Sequence, residues 1–367
     1  MTRQTRARSR LALALGFALV PMVAAALVSA VAGGLLRAGA TWPVLQGGDV
    51  VARAAGGHAA LMLSGFLGMV IAIERAVAVR LRWAFAAPVA AGLGGLCLLA
   101  GQFGPAAALG VIAAAVSVAV HLVVLQRQRA PHTALLVLAS GAWLVGNGLF
   151  AAGRGPAETL PWWFLLPVLT IAAERLEMTR LTRRHALAQP ALAVIVLALL
   201  AGAALSPRSA AGGVVFGIAL TALALWFGQF DIARRTLFAQ GLPRYMAVCL
   251  LTGYAWLAVA GLAWVGMVQG GEGRDLALHA LGLGFIFSMV MGHAPVILPA
   301  VAGVKLLFGP WFYVPLLALH ASLLLRVVGG ATDPALRTAG AELNAAALLL
   351  FVATVVSSAL AWRRRHP

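Results

Sequence analysis

Apolar residues run along this chain in blocks, and the polar ones gather in short gaps between the blocks. A helix rises 1.5 Å per residue, so about 20 apolar residues cross ~30 Å of hydrocarbon. The pattern predicts spans over 11–33, 57–79, 83–104, 106–126, 133–153, 159–179, 190–206, 210–232, 245–269, 275–298, 306–328 and 338–362. About twelve transmembrane helices with such short connections make an all-α polytopic membrane protein, a single integral membrane domain over 1–367. The least distinct break lies at Gly104-Pro105, between the third and fourth blocks.

The charges give the chain a direction. Arg80, Arg82, Arg127, Arg129, Arg180, Arg183, Arg184, Arg234, Arg235, Arg244, Lys305 and the Arg363-Arg364-Arg365 tail fall on the side of the basic N-terminal arm. Arg37, Arg53, Arg154, Arg208, Arg274 and Arg337 are scattered on the other side, partly offset by Asp49, Glu158, Glu272, Asp275 and Asp333. By the positive-inside rule both termini are expected in the cytoplasm, in the cytoplasmic (inner) membrane. The first block exceeds a signal-peptide core and is read as a retained helix.

Composition agrees: 62% of residues are hydrophobic and 10% charged, too little polar surface for a soluble chain of 367 residues. The net charge of +17 would suit nucleic acid, but the positive residues sit in the gaps, so no nucleic-acid partner is expected; the partner is the lipid bilayer. Cys97 and Cys249 lie inside apolar blocks and read as buried thiols. Trp162-Trp163 and Trp311-Phe312-Tyr313 read as anchors at the membrane interface.

Histidine carries the candidate chemistry, because imidazole is costly in hydrocarbon unless it is paired. His132, His185 and His366 fall in gaps or the tail and are expected in solvent. His121, near the end of the fourth helix, is expected to reach the interface. His58 opens the second helix and His279 the tenth, which run in one direction, so both imidazoles are expected about one turn below the outer surface. His320, on the eleventh helix, is expected roughly 10 Å below it. An interhelical hydrogen bond is the ordinary role for one such histidine; two at matching depth favour a shared haem iron or copper ion. Met62, four residues after His58, is either a soft copper ligand or packing. His293 lies 14 residues beyond His279, roughly 21 Å along the helix, so it marks a helix end or a second site. Gly56, Gly57, Gly65, Gly282 and Gly284 leave room for close helices or a flat macrocycle. The pairs Glu74-Arg75 and Glu174-Arg175 close the second and sixth helices, either as a repeat of four helices or as ordinary interfacial pairs.

The run His58-Ala59-Ala60-Leu61-Met62-Leu63-Ser64-Gly65-Phe66 resembles the H-A-H-E-M-x-x-G-F signature of the NnrS family. His279-Ala280-Leu281-Gly282-Leu283-Gly284 resembles that family's H-A-L-x-x-G segment. The resemblance implies a twelve-helix membrane protein with haem and copper, linked to nitric oxide metabolism and distantly similar to the main subunit of haem-copper oxidases. In that wider fold, three arcs of four helices surround the cofactors, and helices two and ten carry the axial histidines of a low-spin haem near the outer face. Haem b, with copper as the alternative, is the implied cofactor; His58, His279 and His320 are its candidate ligands, and His58, His279, Met62 and His293 the candidate metal set. A quinol or a cytochrome is the implied electron donor. Ala60 and Leu61 depart from the signature's second His and Glu, and Gly292-His293-Ala294-Pro295 only partly matches the family's Gly-His-Thr-Gly-Arg stretch. The adjacent His-His pair and the His with a Tyr four residues on, which build an oxidase copper site, are missing, and Ala277 stands where a second helix-ten His would be. A conventional terminal oxidase is not expected. The competing reading is a proton-coupled secondary transporter using Glu74 and Glu174.

Overall fold

In the computed structural model, which describes residues 19–45, 47–178, 186–271 and 273–366, the apolar blocks fold as helices and no strand forms among the described residues. In chain order these are α1 Val20–Arg37, α2 Ala60–Val79, α3 Arg82–Leu99, α4 Phe103–Arg127, α5 Pro131–Ala151 and α6 Pro156–Met178. They continue as α7 Ala188–Leu205, α8 Ala210–Phe230, α9 Leu242–Val268, α10 Arg274–Ala302, α11 Pro310–Ala331 and α12 Pro334–Arg365. Among the described residues, eleven of these helices are long and apolar enough to cross a membrane. The exception is α6, the expected span 159–179. It has 23 residues, but Glu158 at one end and Glu174, Arg175 and Glu177 at the other leave only 159–173 apolar between them.

Local chemistry sets the helix ends. The break between α3 and α4 comes earlier than expected, at Gly101, whose φ of +80° is easy only for glycine. Gly104-Pro105 instead lies in the first turn of α4, where proline's missing N–H has no partner to lose. Pro131 starts α5, and the Thr133 hydroxyl accepts from the Ala130 amide at 3.2 Å. Ser209 and Asp333 cap α8 and α12 through their side chains.

Two stretches depart from the ordinary helix. Ala60–Gly68 in α2 and Ala280–Phe287 in α10 are π-helical, and each begins within two residues of a candidate histidine, His58 or His279. The π turn is rare and is found most often at functional sites. It widens the helix just below the imidazole.

Two compact units make up the chain: residues 1–173 with 297–304, and residues 174–296 with 305–367. In the first, Gly33 of α1 lies where a Cβ would collide with the backbone of Ala54 in the short helix Asp49–Gly56. Gly94 of α3 likewise lies close to the Ala106 carbonyl of α4, at 3.2 Å from its would-be Cβ. Ala30, Ala54, Leu61, Leu98 and Ala106 form an apolar cluster beside these contacts. In the second unit, Gly213 and Gly217, one turn apart on α8, meet Val268 and the Gly261 backbone of α9. Gly253 and Gly292 receive Met289 and Cys249 across the seam between α9 and α10. Hydrocarbon gives apolar side chains no reason to associate, so helices gain by bringing backbones close, which small residues permit.

Candidate functional site

His58 sits just before the π turn of α2, and its Nδ1 lies 2.7 Å from the carbonyl oxygen of Ala30 on α1. A carbonyl only accepts, so in the neutral ring Nδ1 carries the proton and Nε2 keeps the lone pair. Gly34 admits the ring: a Cβ there would stand 2.7 Å from His58 Cε1. Met62 is half-buried and packs on the apolar cluster around Leu61 and Leu98, which gives it a packing role. Gly65 has no close neighbour beyond its own helix, whereas Gly57 is covered by Leu98.

His279 is prepared in the same way and then reinforced. Its Nδ1 lies 2.9 Å from the Asp275 carbonyl oxygen and 3.0 Å from Asp275 Oδ1. Four residues apart on one helix, the two side chains share a face. Arg326 of α11 grips the same carboxylate with Nε at 2.8 Å and an Nη at 2.7 Å. This relay, from Arg326 through Asp275 to His279, fixes the tautomer and aims the ring, as carboxylates behind metal-bound imidazoles do. The Asp-x-x-x-His spacing was readable in the sequence; the arginine was not.

The other two candidate histidines are held differently. Trp256 Nε1 donates to His320 Nδ1 at 3.0 Å, so neutral His320 carries its proton on Nε2 and is a donor there rather than a ligand. Gly284 makes this contact: its missing Cβ is the space Trp256 fills, so that glycine serves helix packing and leaves no room for a ring, while Gly282 faces open space. His293 holds Nδ1 at 2.7 Å from the Met289 carbonyl and accepts on Nε2 from Arg175 at 3.1 Å. His293 is therefore in the middle of α10, part of a polar cluster, and not at a helix end.

That cluster is buried. Arg175 Nε faces Asp231 Oδ2 at 3.9 Å, and Asp231 accepts the Ala233 amide at 2.6 Å. Tyr254 stands beside the same carboxylate, stacked on Phe227 with ring centroids 4.7 Å apart. Asp231 follows the last residue of α8. Burial raises its carboxyl from the ordinary value, and Arg175, the Ala233 amide, Tyr254 and His293 oppose that rise. Glu74 is paired with its neighbour Arg75 at 3.3 Å. Glu174, its counterpart, is half-buried on α6.

The family model described as Domain of unknown function (DUF8744) matches residues 12–360. The chain belongs to the DUF8744 family. No curated protein and no solved structure matches it.

Within this DUF8744 chain, no group of three or more His, Cys, Asp or Glu gathers as a metal-holding set among the described residues. Several polar residues lie elsewhere than their sequence positions suggest. His132 is buried rather than solvated, because α5 begins at Pro131 and carries it into the protein. His121 is buried at 2% exposure and does not reach the interface; with Ser117 and Arg75 it lines a crevice with room for about one water molecule. Trp163 is not an interface anchor: it is buried, and its Nε1 donates to Asn147 Oδ1 at 3.0 Å. Phe312 is buried as well, whereas Trp311 beside it is exposed. His366 is exposed, as expected, and His185 lies outside the described residues.

Proposed function

We propose that this DUF8744 chain is a b-type haem protein of the membrane, similar in kind to NnrS, with His58 and His279 as axial ligands. One observation carries the reading: each of the two imidazoles has Nδ1 tied to a main-chain carbonyl, at 2.7 and 2.9 Å, beside a π-helical turn. That is how a protein presents Nε2 to a metal. Their pairing on one iron comes from the resemblance in sequence, and the preparation of each ring from its own surroundings.

A haem held this way would supply reversible one-electron transfer between its ferric and ferrous states. The chain's own residues bind and orient. Ala30 and Gly34 set the plane of His58, while Asp275, held by Arg326, sets His279 and strengthens its electron donation. His320 accepts from Trp256 on Nδ1 and His293 from Arg175 on Nε2, so neither is needed as a ligand in this reading. Copper on His58 and His279 would need further donors, and Met62, His293 and His320 are engaged elsewhere.

In this reading about twelve helices cross the inner membrane in an oxidase-like arrangement of three arcs, with both termini cytoplasmic and the histidines toward the outer face. A quinol or a cytochrome donates the electron, and the link to nitric oxide metabolism follows from the NnrS likeness. The test is the reduced-minus-oxidised absorption spectrum of the solubilised protein from haem-replete cells, with metal analysis. Sharp reduced bands and a Soret band are expected, lost in both His58→Ala and His279→Ala. Absence of haem and copper from the wild type, or a spectrum unchanged by either substitution, sinks the proposal.

A further inference from the structure

Two arginine–aspartate pairs in the second unit differ in a way that composition does not explain. Arg326 closes on Asp275 with two hydrogen bonds at 2.8 and 2.7 Å, the fork expected of guanidinium and carboxylate. Arg175 and Asp231 are the more deeply buried pair, at 6% and 5% exposure, and should close at least as firmly. They do not. Their facing atoms stand 3.9 Å apart, and neither Arg175 Nε nor Asp231 Oδ2 has a hydrogen-bond partner. The hydroxyl of Tyr254, 4% exposed, also lacks an aligned partner although it stands beside the same carboxylate. Arg175 instead reaches His293 Nε2 at 3.1 Å.

We infer that Asp231 is a reversible proton-binding site, with Tyr254 as its hydrogen-bond partner and His293 as the alternate holder of Arg175. Three unsatisfied polar atoms around one buried carboxylate, Arg175 Nε, Asp231 Oδ2 and the Tyr254 hydroxyl, mark a place built to change its hydrogen-bond pattern. In the ionised state Oδ2 accepts from the Tyr254 hydroxyl and attracts Arg175. When a hydronium ion gives up its proton and leaves as water, Oδ2 becomes an O–H donor and the tyrosine oxygen accepts. Arg175 then keeps its hydrogen bond to His293, so its guanidinium is not abandoned in a buried site. The groups facing Asp231 are Arg175 from α6, the Ala233 amide, Tyr254 from α9 and His293 from α10. Arg234 and Arg235 follow within four residues and are exposed, so the path from water to the carboxylate is short. Phe227 and Phe285 pack around Tyr254. The site does not depend on haem, and it involves neither Glu74 nor Glu174.

Infrared difference spectroscopy of the full-length solubilised protein, titrated from neutral to acid pH, tests this. A carboxylic-acid C=O band should rise with a midpoint above the ~3.9 of free aspartate. Asp231→Asn should remove that band completely, and Tyr254→Phe should keep it but move its frequency. Difference spectra of Asp231→Asn and wild type that coincide at every pH overturn the inference. If Asp231→Asn cannot be purified folded, Tyr254→Phe decides alone: a moved band supports the site, and carboxyl bands identical to wild type overturn it.

Discussion

Arg326 holds Asp275 by two hydrogen bonds across 51 residues of sequence, and Asp275 in turn meets Nδ1 of His279 at 3.0 Å. The carboxylate thus gives the ring a fixed tautomer and a negative partner that favours charge donation to a metal. Asp275→Asn keeps the shape and removes the charge. Weakening such a partner behind a ligand lowers affinity by about 10–100-fold, so haem titration of this variant should show a loss of that order. Asp49→Asn, whose carboxylate is 90% exposed, is the control and should bind like wild type. Equal affinities for wild type and Asp275→Asn would remove the relay from the site.

Gly34 makes the corresponding prediction on the other histidine. A methyl group there would stand 2.7 Å from His58 Cε1, so the ring must turn and lose its 2.7 Å hydrogen bond to Ala30. Gly34→Ala should therefore fold but shift or weaken the spectrum that depends on His58. Gly56→Ala adds the same methyl where nothing lies within 4 Å and should leave that spectrum alone. Similar spectra for the two variants would break the connection between α1 and the His58 ring.

Helices were legible in the sequence because a span requires only length and hydropathy, and both are local. Even α6, the least apolar, lies close to its expected place. Burial of single polar residues was not legible, since it depends on partners far along the chain. His132 follows a gap and reads as solvated, yet a proline at the start of α5 turns it inward. Asp231 reads as a charge at the end of span 210–232, and only Arg175 and Tyr254, 56 residues before and 23 after it, give it a role. The π turns have no residue pattern that separates them from ordinary helix; Gly65, Gly68, Gly282 and Gly284 are permissive for them without announcing them. His58 and His279 were singled out from position alone, but what prepares their rings is tertiary.

Asn147 joins four helices. Its Oδ1 accepts from Trp163 at 3.0 Å and Ser64 at 3.2 Å, its Nδ2 donates to the Gly110 carbonyl at 2.9 Å, and Trp143 donates to the same Ser64 at 3.0 Å. Asn147→Ala leaves the Trp163 N–H buried without its acceptor and opens a hole. Each buried group left unpaired costs about 1–3 kcal/mol, and hydrogen bonds within membranes fall toward the lower end. A loss of about 2 kcal/mol should appear as a lower unfolding midpoint in detergent. Trp163→Phe removes the donor with its acceptor still served by Ser64, and should cost less. The reverse order would mean that indole packing, rather than the hydrogen-bond network, holds this centre.

His121 has the opposite character. Its ring is buried at 2% exposure, and neither Nδ1 nor Nε2 has a hydrogen-bond partner. The Ser117 hydroxyl one turn earlier is unpaired as well, and the crevice they share holds at most about one water. A buried polar group without partners weakens the fold, whereas an apolar group of similar size removes that penalty. His121→Leu should therefore raise the unfolding midpoint, by about 1 kcal/mol in stability. Ser117→Ala, which frees less polar surface from burial, should do the same to a smaller extent. A His121→Leu protein less stable than wild type would show that the imidazole is held by something in the crevice, and would turn this residue from a structural burden into a binding group.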